Sequence, residues 1–242
     1  MKRLLGAARV HATILLLTVL LVIPISALGL AGRIDAADRL IRFWSWALLR
    51  AAGIRIEAFG LEHARDVGPC VILCNHRSHL DGPVILCTLP FPVSFVIKKS
   101  LARIPLWGWA VTRAGYVAID RGDRRDSLAG MRRAADRVRA GRRVLTFPEG
   151  TRSPADVFLP FKKGGALLAI EARVPILPVA VAGTFDLLPK GSLAPRPGTV
   201  VVGVGRPIPT EGLGYGDRDR LTAQAEAAIR ELHANARARL PG

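Results

Sequence analysis

His76 and Asp81 stand five positions apart in the stretch Asn75-His76-Arg77-Ser78-His79-Leu80-Asp81. An imidazole changes charge near neutral pH, so it can take a proton from a hydroxyl and later return it. A carboxylate within reach fixes its tautomer and offsets the charge of the imidazolium that forms. The spacing therefore offers a general base and its orienter. Plainer readings stand beside this one. Asp81 before Gly82-Pro83 is also a good helix N-cap, and His76 can serve as a hydrogen-bonding loop residue. Cys74, His76 and His79 are zinc-ligating residue types, but donors so closely spaced at a strand exit make poor tetrahedral geometry. No second cluster supplies the missing ligands, so no metal is expected.

A second polar stretch, Phe147-Pro148-Glu149-Gly150-Thr151-Arg152-Ser153, also carries chemistry. Gly150 permits close backbone approach, Thr151 offers a hydroxyl, and Arg152 presents a planar fork suited to phosphate oxygens. Taken together, the two stretches resemble the glycerolipid acyltransferase family, specifically its bacterial 1-acyl-glycerol-3-phosphate acyltransferases. That family carries an N-H-x-S-x-x-D block followed by an F-P-E-G-T-R block. Between them, Lys98-Lys99-Ser100-Leu101, Ile104-Pro105, Gly108 and residues 115–121 look like its second block. Val174-Pro175-Ile176-Leu177-Pro178-Val179 looks like its fourth. The matches run in order over roughly residues 70–182.

The resemblance implies direct acyl transfer from a thioester to a lipid hydroxyl, with His76 as the base and Asp81 as its orienter. Arg152, with Lys98 and Arg121, would anchor the acceptor's phosphate. Gly150 and Thr151 would belong to the same substrate-binding block, and Glu149 would bind a substrate hydroxyl or hold Arg152. Ser78 and Cys74 are not expected to carry the acyl group. No tightly bound cofactor is implied; acyl-CoA or acyl carrier protein serves as a co-substrate, and lysophosphatidic acid or a related lysolipid as acceptor. Two other readings remain: an acyltransferase for an acceptor such as lyso-ornithine lipid, and a non-catalytic membrane lipid-binding protein. The intact His76 and Asp81 pair argues against the second.

These residues need a scaffold. Val71 to Cys74 is a short buried strand that turns abruptly polar at His76, and Val144 to Phe147 does the same before Glu149. Ser94 to Ile97 delivers Lys98 and Lys99, and Tyr116 to Ile119 ends at Asp120-Arg121. Like ends of strands in an open α/β sheet converge on one crevice. Further strands are read at Ile54 to Ala58, Ile176 to Ala182 and Thr199 to Val204, and helices from about Gly82 to Leu89 and up to Ala172. The pair Pro175 and Pro178 suggests an edge position or a constrained entry to the strand. A helix over Asp126 to Gly141, capped by Asp126 or Ser127, and a final amphipathic helix from Leu221 to Leu240 complete the unit. The expected fold is α/β: a mixed, largely parallel central sheet flanked by helices, over residues 54–242.

Residues 1–53 form a separate kind of segment. From Val10 to Gly32 there is no formal charge. As a helix this stretch measures about 35 Å, enough to cross a hydrocarbon core of about 30 Å. Pro24, Ser26 and Gly29 could kink or break its second half. A transmembrane span, a cleaved signal peptide and a re-entrant or interfacial hairpin with the next helix all fit. Basic residues on both flanks favour the hairpin. Ala36 to Gly53 has an apolar face with Trp44 and Trp46 at interfacial positions, and Arg39, Arg42 and Arg50 within reach of phosphates. A core-packing helix with a basic outer face fits the same pattern, and the resemblance favours membrane contact.

The formal net charge of +16 over 242 residues suits a polyanionic partner. No basic block is interleaved with stacking aromatics, so nucleic acid is not expected. The charge points to an anionic membrane surface; the resemblance to the bacterial family implies the cytoplasmic face of the inner membrane. Three cysteines, Cys70, Cys74 and Cys87, are too few and too apolar in setting for a disulfide framework.

Overall fold

The structure opens with a long, mostly apolar helix, α1 (Lys2–Leu30), and an amphipathic helix, α2 (Ile34–Ala52), joined by residues 31–33. The structure is a computed structural model that describes residues 2–120, 122–192 and 194–241, with the side chains of 2–7 and 124 left out. Pro24 lies inside α1 without ending it; one missing N–H is tolerated where long apolar runs on both sides continue the helix. The Arg9 guanidinium donates twice to the Ala51 carbonyl, at 2.9 and 2.7 Å, and Trp44 Nε1 donates to Thr18 Oγ1 at 3.1 Å. These pairings make the two helices an antiparallel hairpin. Its inner residues, among them Val22, Ile25, Ile41 and Leu48, join the same apolar cluster as the sheet. Its outer face leaves Leu15, Leu16, Leu20, Ile23, Phe43 and Trp46 exposed.

Strand β1 (Ile54–Phe59) follows, then the short helix α3 (Glu62–Arg65), β2 (Val71–Cys74), α4 (Asp81–Thr88) and β3 (Val93–Lys98). Two short helices, α5 (Lys99–Ala102) and α6 (Trp107–Arg113), lead to β4 (Val117–Ile119) and α7 (Arg124–Arg139). The chain continues through β5 (Arg143–Thr146), α8 (Gly164–Ala172), β6 (Ile176–Ala182), the single turn α9 (Thr184–Leu187) and β7 (Gly198–Val204), and closes with α10 (Arg218–Ala238). The sheet order is β1-β7-β6-β2-β5-β3-β4, and every neighbouring pair is parallel except β6 with β7. This is the mixed, largely parallel α/β sheet that the pattern of elements implies.

Strand residues alternate between two apolar layers, as a pleated sheet requires. Ile72, Phe95, Leu145 and Leu177 face the layer that includes α2 and α4, while Val71, Val96, Val144 and Ala180 face α7, α8 and α10. β2, β3, β5 and β6 are buried almost throughout, so they read as continuous apolar runs.

Three local expectations are corrected. Pro178 is not at an edge: β6 lies between β2 and β7. Proline is accommodated there because the β6–β7 ladder begins only at Val179, beyond the isolated bridge of Ile176 to Ile208, and the Pro178 carbonyl still accepts from Gly205 N at 2.9 Å. Helix α7 is capped by Asp123, whose Oδ1 accepts from Arg125 N at 2.8 Å and Asp126 N at 3.3 Å, rather than by Asp126 or Ser127. Asp126 accepts instead from Asp120 N and Lys99 Nζ. Arg42 does not face outward either. Paired with buried Asp38, it donates to the carbonyls of Leu86, Leu89 and Phe91, and so closes the end of α4.

Candidate active site

Because β2, β5, β3, β4 and β6 run the same way, their C-terminal ends share one edge of the sheet, the usual place for chemistry in an open α/β fold. The polar turn after β2 is held there by Asn75. Its side-chain amide donates to the Val181 carbonyl and its Oδ1 accepts from Val181 N, both at 2.9 Å, which extends the β2–β6 ladder by one side chain.

His76 comes next, partly exposed, with its ring stacked on Phe147 at 3.9 Å between centroids. Its Nδ1 lies 2.8 Å from Asp81 Oδ2. That oxygen also accepts from Arg77 N at 2.7 Å and Ser78 N at 2.9 Å, and Asp81 Oδ1 accepts from Thr184 Oγ1 at 2.6 Å. Asp81 is fully buried and every neighbour is a donor. A carboxylate only accepts, so Nδ1 is the donor in this contact, and the tautomer it selects for a neutral imidazole has its lone pair on Nε2. Asp81 is thus the first residue of α4 but not its cap, since its oxygens serve the turn before the helix.

The block after β5 meets this turn from the side. Glu149 Oε1 accepts from His76 N at 2.9 Å, and Glu149 Oε2 accepts from Leu159 N at 2.9 Å. Arg77 Nη1 reaches both carboxylate oxygens, at 3.1 and 2.9 Å. The Arg77 side chain is 1% exposed, with its guanidinium 4.4 Å above the Phe158 ring and Nε 3.4 Å from Asp156. Glu149 therefore neither holds Arg152 nor opens toward a substrate: its expected role is replaced by an inward one, tying the two blocks together. Ser153 N adds a further tie, donating to the His76 carbonyl at 3.1 Å.

Arg152 is half-buried, and no hydrogen bond or ion pair engages its guanidinium among the described residues. Burial draws its pKa below the usual value, opposed by the nearby Asp81 charge; an arginine stays cationic regardless. His79 sits more openly on the turn. Desolvation by surrounding protein lowers its pKa, as do the charges of Arg152 and His76. The two histidines, Asp81 and Arg152 thus share one electrostatic neighbourhood. Gly150, at φ 74°, brings its backbone under Lys162: a Cβ there would lie 2.9 Å from Nζ. Thr151 is exposed beside it.

Other expected residues stand further away. Lys98 ends β3 on the same edge, two strands from β2, or about 10 Å sideways. By pleat it shares the α7 side with Val96, the face opposite Ile72 and Cys74. Lys99 is paired with Asp126 at 3.2 Å. Arg121 lies outside the described residues. Ser78 and Cys74 are fully buried. The Ser78 hydroxyl donates to the Leu188 carbonyl at 2.7 Å, and burial drives the Cys74 thiol pKa well up, so neither is placed as a nucleophile. Arg77 and Thr184 were not singled out from sequence. Arg77 occupies the unspecified position of its block, and Thr184 lies beyond the last block; only Gly183 before it, a turn signal after an apolar strand, marks the place.

The acyltransferase family model matches residues 55–182, which contain all of this constellation except Thr184 and its neighbours. The chain is 37% identical over 195 residues to the 1-acyl-sn-glycerol-3-phosphate acyltransferase of Pseudomonas aeruginosa, covering 80% of this chain and 74% of that one. It is 32% identical over 228 residues to the human 1-acyl-sn-glycerol-3-phosphate acyltransferase alpha, covering 92% and 80%. The crystal structure of the 1-acyl-sn-glycerophosphate acyltransferase of Thermotoga maritima superposes with a TM-score of 0.69 at 26% identity, over 92% of this chain and 97% of that one. With the matched region spanning the sheet edge, its histidine and its arginine, this chain belongs to the acyltransferase family.

Proposed function

We propose that the protein transfers a fatty acyl group from an acyl thioester to the sn-2 hydroxyl of 1-acyl-glycerol 3-phosphate, giving phosphatidic acid. The observation that carries this reading is the His76 Nδ1 to Asp81 bond of 2.8 Å, which turns Nε2 outward as the proton acceptor, with the Arg152 cation near enough to feel the same Asp81 carboxylate. The names of the relatives supply the acceptor class.

Nε2 of His76 takes the proton of the acceptor hydroxyl as its oxygen attacks the thioester carbonyl. Asp81 stabilises the imidazolium. The new ester C–O bond forms, the C–S bond breaks, and the proton passes to the departing thiol. Arg152 holds the acceptor's phosphate with the Gly150-Thr151 backbone beside it, and Lys98 and Arg121 help to anchor it, so that the hydroxyl is oriented toward His76. The transfer is direct, and acyl-CoA or acyl carrier protein is a co-substrate. The hairpin of α1 and α2 rests its exposed apolar face in an anionic bilayer, on the cytoplasmic side where the thioester donor is found.

A thioester-release assay with lysophosphatidic acid, glycerol 3-phosphate and lyso-ornithine lipid side by side tests this. Preferred turnover of lysophosphatidic acid is the expected result. Preference for lyso-ornithine lipid would reassign the acceptor, and no release with any of them would remove the activity.

A further inference from the structure

The turn that carries the dyad is braced from a segment outside the four sequence blocks. Strand β6 ends at Ala182, and Gly183, at φ 91°, turns the chain into α9; a Cβ at this glycine would lie 2.7 Å from the Thr199 carbonyl. Thr184, the next residue, is fully buried and donates to Asp81 Oδ1 at 2.6 Å. Four residues on, the Leu188 carbonyl accepts from the Ser78 hydroxyl at 2.7 Å. Lys190 Nζ then reaches the Arg152 carbonyl at 3.3 Å. One short run of chain thus touches the aspartate, the serine two positions after the histidine, and the arginine block.

The consequence for Asp81 is geometric. Its Oδ2 takes three donors from its own turn, all on one side of the carboxylate. Only Thr184 hydrogen-bonds to Oδ1 among the described residues, so it anchors the second oxygen and completes the restraint on the carboxylate plane against which the His76 ring is aligned. We infer that Thr184 is a positioning residue for acyl transfer, setting the Asp81 carboxylate so that His76 Nε2 faces the acceptor hydroxyl. This rests on the proposed role of His76 as the base.

The experiment compares Thr184→Val, which keeps the shape and removes the donor, with Thr184→Ser, which keeps the donor. Both are made in the full chain in detergent micelles with lysophosphatidic acid and an acyl thioester. Thr184→Val lowers kcat by about tenfold with KM for both substrates within about twofold, because one hydrogen bond to a charged group is lost and no substrate contact is touched. Thr184→Ser stays within about threefold of wild type. In an Asp81→Asn background Thr184→Val costs nothing further, since its action passes through that carboxylate. Wild-type kcat in Thr184→Val, equal impairment in Thr184→Ser, or an additive loss in the double variant would overturn the assignment. If Thr184→Val does not fold, Thr184→Ala carries the same comparison. An activity-free readout separates this inference from the proposed reaction: the His76 Nδ1 proton resonance, assigned by its loss in His76→Gln, shifts in Thr184→Val and returns in Thr184→Ser. An unmoved resonance overturns the inference even if the enzyme is active, whereas a moved resonance in a protein inactive on every acceptor overturns only the proposed reaction.

Discussion

Arg77 Nη1 lies 2.9 Å from Glu149 Oε2, with neither side chain more than 1% exposed, and this buried ion pair joins the turn after β2 to the turn after β5. Removing one partner of such a pair strands a charge in a medium of low polarity. Arg77→Met is therefore expected to destabilise the fold by about 3–5 kcal/mol in urea unfolding, and Arg77→Met with Glu149→Gln to recover part of that loss. A single-variant loss below about 1 kcal/mol would show that the pair does not clamp the two turns.

Arg152 has no partner of its own among the described residues, which leaves its cation for a ligand. Arg152→Ala should raise KM for a phosphorylated acceptor by about tenfold or more, through loss of a charge-assisted contact. Lys98→Ala, on the opposite pleat and two strands away, should have a smaller effect. Steady-state kinetics with varied acceptor decides, and an unchanged KM in Arg152→Ala would place the phosphate elsewhere.

His233 on α10 packs edge-on against Phe158, and burial, then the Arg77 charge, hold its pKa down at about 4. Asp156 and Asp81 oppose this shift and Arg237 adds to it. Between pH 6.5 and about 4 the unfolded chain binds a proton at this position that the folded chain refuses, so stability falls as pH falls through that window. The loss is at most about 3 kcal/mol. Melting temperatures measured from pH 7 to pH 4 should drop less steeply in His233→Gln. Parallel slopes for the two proteins would rule out His233 as a source of acid sensitivity.

The exposed stripe of α1 makes a separate prediction. Replacing Leu16, Leu20 and Ile23 together by serine removes apolar area that is already outside the core, since all three are more than half exposed. Vesicle cosedimentation with anionic lipid should fall by about tenfold or more, with melting temperature little changed. Retained vesicle binding would mean that another face meets the bilayer.

Much of the framework was legible because it rests on local signals. Short strand-like runs ending in polar turns marked β2 and β5, and parallel pairing brought His76 and Glu149 to one edge. The uncharged run from Val10 and the basic flanks marked the hairpin. What escaped depended on long-range partners. Nothing near Glu149 in sequence says that its carboxylate turns inward to Arg77, 72 positions away, and nothing near Arg42 announces the carbonyls of α4. Thr184 is an ordinary residue until β6 is seen to run beside β2. Pro178 read as an edge signal because proline lacks a donor, yet the gap in the β6–β7 ladder that admits it is a property of the partner strand.

The most direct test of the central claim is single-turnover acyl transfer to lysophosphatidic acid by wild type and His76→Ala, both shown to be folded by thermal melting. Transfer should vanish in the variant while acceptor binding persists, because the proton acceptor is gone and the Arg152 contact remains. Near wild-type transfer by a folded His76→Ala protein would contradict the assignment of that imidazole as the base.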